Sequence, residues 1–336
     1  MDNWQFQRYL IEDRSYVSFI KREIHHLVKS HFNETRAGEI DIVVSEMTSN
    51  LIKHANSGEL LYRLNKIPDV GPVFEMLCID NGPGIRDVGN SIKDGVSTTS
   101  TLGHGMGSIF RLSTLAQVYS QPDWGTIVYT RFYRSEAPRS VSPGLLVRCI
   151  NVAKPGETVS GDGIAYKMSG SKSLLFAGDG LGHGIHAKEV MDKAIEVFHA
   201  SHATDAAQML FEINQAVKRT RGLVATVAVL NHKQETWEVC GVGNIHTRLQ
   251  RGLEYKNYIC NNGIVGLNIP KRLENSSFPM EKLQMVVLCS DGIKTKWDLI
   301  KYPSILKYDP MMLAAAIYKD HKRTTDDMTV LIAKVL

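Results

Sequence analysis

Two sets of residues in this chain have the types and spacing that phosphate chemistry requires. In the first half, Gly103, Gly105 and Gly107 alternate within Gly103-His104-Gly105-Met106-Gly107 at the start of a helix-like stretch. Backbone amides of a glycine-rich loop and of a helix N-terminus are suited to bind phosphate oxygens. In the second half, Asp179-Gly180 and Asp291-Gly292 each follow an apolar run, and Asp162 and Asp326 border two further runs. Carboxylates at separate strand ends are ligands that hard divalent ions prefer. Two such ions lower the pKa of a shared water and clamp phosphate oxygens. The first set suggests use of ATP and the second removal of phosphate.

Each set has companions. Glu46 and Asn50 lie four apart on a helical stretch and so project from one face. The amide oxygen suits magnesium, and the carboxylate can orient or deprotonate an attacking hydroxyl. Alone, such a pair is more often a solvated helix face. Asp80-Asn81-Gly82-Pro83-Gly84 directly follows the apolar run Val73–Ile79. Asp80 can accept from an adenine amino group while Gly82 and Gly84 let the backbone approach the base. Alone, this segment is an ordinary turn. In the second half each Asp-Gly taken singly is more often a β-turn. The strand-then-Asp-Gly pattern occurs twice, however, and Thr325-Asp326-Asp327 leads into a last apolar run.

The elements that must position these residues are legible as periodicities. Trp4 to Leu10 fits a strand, and Val17, Ile20, Ile24, Leu27 and Val28 recur at helical spacing. A second helix is expected from about Arg36 to Ala55, strands at 59–64, 73–79 and 126–132, and a helix from about Ser108 to Ala116. The segment 134–143 has two prolines and little apolar content, as a linker would. Beyond it, strands are expected at 145–152, 163–168, 173–177, 223–230, 236–240, 285–289 and 328–335, with helices at 187–200 and 203–217. The expected organisation is a domain over 1–134, a linker over 135–143 and a second domain over 144–336.

Composition narrows the function classes. A chain of 336 residues exceeds the usual size of one core. A formal charge of +4 without a Lys/Arg run argues against nucleic acid or an anionic membrane as partner. Five cysteines without a CxxC pair read as reduced, buried thiols. Residues 1–10 mix Asp, Asn, Gln and Arg with apolar residues, and no run approaches eighteen apolar residues, so a cytoplasmic protein is expected.

In its first 134 residues the chain resembles the GHKL ATPase superfamily, most closely the small RsbT- and RsbW-type serine kinases of bacterial partner switching. The resemblance rests on Glu46 and Asn50, on Asp80, Gly82 and Gly84, on Gly103, Gly105 and Gly107, and on Gly125-Thr126, in that order. It implies that Asn50 holds magnesium, Glu46 activates a Ser or Thr of a protein substrate, Asp80 reads adenine and Thr126 helps hold it. From about residue 144 onward the chain resembles the PPM metal-dependent phosphatases, in the SpoIIE, RsbU and RsbX branch. There Asp162, Asp179, the Gly180 carbonyl, Asp291 and Asp326 match the ligands of Mg2+ or Mn2+, with Asp179 bridging two ions and Asp327 an adjacent alternative to Asp326. His183 stands two positions beyond where many members place a histidine, and Asn244 replaces an aspartate of other branches.

The fold so implied is α+β, a Bergerat-type α/β sandwich followed by an αββα phosphatase sandwich. The implied function is a bifunctional serine/threonine kinase and phosphatase acting on a STAS-domain protein, with ATP and Mg2+ in the first half and two ions in the second. The alternative is an ATP-dependent, anti-sigma-like sequestering module joined to a catalytic phosphatase.

Overall fold

The computed structural model describes residues 4–11, 14–55, 58–67, 70–89, 105–134 and 144–336. The chain divides into two compact units, Met1–Val141 and Ser142–Leu336. The segment expected to be a linker, 135–143, lies outside the described residues, as do Gly103 and His104.

In the first unit, strands β1 (Gln5–Leu10), β2 (Gly58–Ile67), β3 (Gly71–Asp80), β4 (Leu115–Gln121) and β5 (Gly125–Tyr133) pair antiparallel in the order β1-β2-β3-β5-β4. Helices α1 (Arg14–Lys29), α2 (Glu34–His54) and α3 (Gly105–Leu112) share a core with one face of that sheet. Helical spacing puts Ile20, Ile24 and Val28 of α1 and Ile40, Val43 and Met47 of α2 on the buried side. Alternation brings Leu60, Tyr62, Phe74 and Met76 up from the strands to meet them. Each large apolar side chain buried in this way contributes about 1.5–3 kcal/mol. The Asn33 side chain accepts the Arg36 N–H at 2.8 Å, satisfying an amide that the start of α2 leaves open.

The helix expected to run to Ala116 is shorter, and a strand was missed. At the end of α3 the Leu112 carbonyl accepts from Arg36 Nη1 at 3.0 Å, and Thr114 Oγ1 accepts the Tyr133 N–H at 3.3 Å. The chain is thereby turned into β4, and Leu115 and Ala116 pair with β5.

The second unit has two sheets. Strands β6 (Leu145–Val152), β11 (His246–Arg251), β12 (Glu254–Tyr258), β14 (Met285–Cys289) and β15 (Met328–Val335) pair in the order β12-β11-β14-β15-β6. The other sheet, β13-β10-β9-β8-β7, comprises β7 (Asp162–Ser169), β8 (Lys172–Gly180), β9 (Leu223–Asn231), β10 (Thr236–Val242) and β13 (Ser276–Pro279). Helices α4 (Ile185–Ala200) and α5 (Ala206–Ala216) cover this second sheet, and α6 (Pro310–His321) packs on β6 and β15 of the first. The layers run helix, sheet, sheet, helix. The periodicity reading missed β11, β12, β13 and α6. The start of α6 is explicit in structure: Pro310 occupies its first turn, the Asp309 side chain accepts the Met311 N–H at 2.9 Å, and Arg148 of β6 grips the same carboxylate at 2.8 Å. All five cysteines are free thiols.

Candidate functional site

In the second unit, strand register gathers the acidic residues. Asp162 opens β7 and sits directly opposite Asp179 near the end of β8. Two carboxylates facing each other across an antiparallel pair repel. Asp291 leaves β14, Asp326 and Asp327 lead into β15, and these two strands pair side by side. Asp162 is 3% exposed. One of its oxygens, Oδ2, accepts from Ser290 Oγ at 2.6 Å, while the buried Oδ1 meets no donor.

The electrostatics follow from this crowding. Burial pushes the Asp162 carboxyl up to about 8, against the easing effect of Ser290, with Asp327 and Asp291 pushing further. Burial likewise pushes Asp179 up to about 9, reinforced by the charges of Asp162, Asp291, Asp326 and Asp327. In both groups burial and the acidic neighbours thus favour the protonated form over the charged one.

Asp326 and Asp327 are engaged differently in the structure. Asp327 is buried and both its oxygens are used, accepting the Lys154 N–H at 2.7 Å and the Gly161 N–H at 2.8 Å. It braces two loops, and burial raises its pKa. Asp326 is partly exposed and accepts the Asp327 N–H at 2.9 Å. Gly292 explains why glycine follows Asp291: a Cβ there would lie 1.8 Å from the Asp327 carbonyl oxygen. At Gly180 a Cβ would come within 2.7 Å of the Ala187 carbonyl oxygen. Asn244 Nδ2 donates to Asp291 Oδ2 at 3.1 Å, and His183 Nδ1 pairs with Glu157 Oε1 at 2.7 Å. Sequence reasoning missed the roles of Ser290, Asp327 and Glu157. The only signal available for the first was a hydroxyl directly before Asp291.

These residues fit a divalent ion on two observations, the orphaned Asp162 Oδ1 and the mutual upward push on Asp162 and Asp179. Among the described residues no three His, Cys, Asp or Glu side chains already form a finished cage.

In the first unit, Asp80 ends β3 and its Oδ1 accepts the Gly82 N–H at 2.7 Å and the Thr126 N–H at 3.1 Å. Asp80, Gly82 and Thr126 therefore meet at one end of β3 and β5. A Cβ on Gly82 would lie 2.5 Å from the His54 carbonyl, and one on Gly84, whose φ is +75°, 2.0 Å from the Gln121 carbonyl. Ser120 Oγ donates to the Gly125 carbonyl at 2.9 Å, so at 3.0 Å from Thr126 Oγ1 it acts as acceptor. Glu46 and Asn50 are both partly exposed on α2. A Cβ on Gly105 would lie 2.6 Å from Glu46 Oε2, so the start of α3 passes against Glu46. Gly107 is buried in α3.

The four layers and the acidic strand ends define the second unit as a PPM/SpoIIE-type phosphatase domain of the RsbX kind. The family described as Stage II sporulation protein E (SpoIIE) matches residues 169–336, half of the chain, and the chain belongs to that family. Asp162 lies just before the matched span. Phosphoserine phosphatase RsbX of Bacillus subtilis (strain 168) is 31% identical over 93 residues, covering 27% of this chain and 46% of RsbX. The match thus spans less than half the length of that relative. A solved chain described under "The bacterial stressosome: a modular system that has been adapted to control secondary messenger signaling" superposes with a TM-score of 0.53 at 26% identity, covering 57% of this chain and 100% of the other. RsbX in complex with magnesium shares the fold, with a TM-score of 0.52 at 20% identity over 59% of this chain and 98% of that one. No helix among the described residues is long and apolar enough to cross a membrane.

Proposed function

We propose that the second unit is a metal-dependent phosphatase releasing phosphate from phosphoserine or phosphothreonine of a partner-switching protein. The observation that carries this reading is the facing pair Asp162 and Asp179, both pushed above the ordinary carboxylate range by burial and by their acidic neighbours. Asp162, Asp179, the Gly180 carbonyl, Asp291 and Asp326 would hold Mg2+ or Mn2+. Ions bound there supply an activated water and neutralise the phosphate's charge. The remaining residues orient the ligands: Ser290 fixes Asp162, Asn244 fixes Asp291, and Asp327 holds Lys154 and Gly161 in place. The test is phosphate release from a phosphoserine protein with Mn2+ or Mg2+ and after chelation. Release that is lost on chelation and restored by either ion supports the reading, and metal-independent release overturns it.

For the first unit we propose ATP with Mg2+, held by Asn50, Asp80, Gly82, Gly84, Gly103, Gly105, Gly107 and Thr126, with Glu46 activating a serine or threonine hydroxyl of a STAS-domain protein. The approach of Gly105 to Glu46 and the meeting of Asp80 with Thr126 support it. Transfer of labelled phosphate from ATP to STAS proteins is the measurement. Retention of a partner only with ATP, without transfer, would favour the sequestering alternative.

A further inference from the structure

Asp179 and Gly180 pair with Val224 and Leu223, and the chain leaving β8 stays beside the chain entering β9 beyond the sheet. There the Leu181 N–H donates to the Gly222 carbonyl at 3.1 Å. Arg221, an exposed residue, turns back so that Nη1 donates to the Leu181 carbonyl at 3.1 Å. Gly182 has φ of +91°, which L side chains rarely adopt, and a Cβ on it would lie 2.7 Å from that same nitrogen. On the other side, a Cβ on Gly222 would meet Ile264 Cγ2 at 2.7 Å and Leu267 Cγ at 3.2 Å.

The guanidinium is therefore anchored through one nitrogen just beyond Asp179, next to the glycine-rich 181–184 loop. Among the described residues no carboxylate forms an ion pair with it, whereas His183 on the same loop is already paired with Glu157 at 2.7 Å. A phosphate monoester brought to ions held by Asp162, Asp179, Asp291 and Asp326 keeps non-bridging oxygens that can take further donors. A cation fixed at the rim, with planar donors left over, is suited to receive it.

We infer, granted the phosphatase reading, that Arg221 binds the phosphoryl group of the substrate, its remaining N–H donors taking two non-bridging oxygens. The experiment compares R221A and R221K with the wild-type full chain loaded with Mn2+. R221K keeps one donor for the Leu181 carbonyl but loses the fork. In R221A, KM for a phosphoserine protein, KM for p-nitrophenyl phosphate and the inhibition constant for inorganic phosphate should each rise roughly tenfold to a hundredfold, with R221K intermediate. Mn2+ affinity by calorimetry should stay within about twofold. Unchanged inhibition by phosphate overturns the inference. So does a rise confined to the phosphoprotein, which would make Arg221 a reader of the peptide, and so does loss of Mn2+ affinity in both variants, which would make it a loop support. Should the wild type release no phosphate, the phosphatase reading fails separately. Calorimetry of inorganic phosphate with the Mn2+-loaded wild type and R221A then decides whether Arg221 binds the anion.

Discussion

The two candidate sites treat their carboxylates in opposite ways. In the first unit Asp80 is satisfied by the chain itself, accepting backbone N–H groups of Gly82 and Thr126. In the second, Asp162 and Asp179 face each other, burial and neighbouring charge raise both, and one oxygen of Asp162 has no donor. A site that is polar but satisfied is stable without a ligand, whereas a buried acidic set that repels itself calls for a cation. The difference explains why the second site can be argued from its own electrostatics, while the first depends on motif order and on a loop that lies partly outside the described residues.

The largest expected effect tests the repelling set. Asp179→Ala should lower metal-dependent phosphate release by at least about a thousandfold while ATP binding persists, because it removes a carboxylate that would hold the ions. Full activity in this variant would leave the acidic set structural. Next, Gly292→Ala places a methyl where the Asp327 carbonyl oxygen stands, so denaturant unfolding should show a loss of about 1–3 kcal/mol or more, together with weaker metal binding. A variant as stable as wild type would show that the 326–328 segment yields easily.

A pH series addresses the same groups without mutation. Folded Asp162 and Asp179 keep their protons up to about 8 and about 9, well above the unfolded values, so between those limits the folded, metal-free state binds more protons. Its stability must then fall as pH rises, and levels off once both groups have ionised. Metal binding displaces those protons, so Mn2+ affinity and the Mn2+-induced rise in Tm should grow from about pH 6 to about pH 9. A pH-independent Mn2+ shift would contradict the raised carboxyls. The smallest effect on stability belongs to the satisfied site. Asp80→Asn retains an oxygen for both backbone donors, so Tm should move little, by less than about 1 kcal/mol of stability. ATP affinity should nevertheless drop, since an amide is an ambiguous partner for an adenine amino group. Unaltered affinity by calorimetry would detach Asp80 from base recognition.

Much of the framework was legible because single periods dominate: α1 and α2 repeat apolar residues at helical spacing, and β9 and β15 are mostly apolar and almost wholly buried. What escaped was set by tertiary partners. β4 is a strand because β5 takes it as one, after Arg36 and Thr114 close α3. β12 is exposed along most of its length, and β13 alternates between exposed and half-buried positions, so neither carries a core pattern. The start of α6 was written in Asp309-Pro310 and could have been read as a cap followed by a first-turn proline. Asp326 and Asp327 are indistinguishable in sequence, and only the amides of Lys154 and Gly161, far away in the chain, separate their roles.

The direct opposition of Asp162 and Asp179 has a consequence for local dynamics. The β7–β8 ladder runs from this pair to Ser169 opposite Lys172, so whatever repulsion arises when both carboxyls ionise is concentrated at one end. Without divalent ions and at a pH high enough to ionise both groups, the Asp162 end should open more often than the Ser169 end, and amide hydrogen exchange at Gly163 should outpace that at Lys167 by more than it does at neutral pH. Adding Mn2+ should slow exchange at the acidic end alone, making the hairpin a built-in gauge of whether the ions are in place.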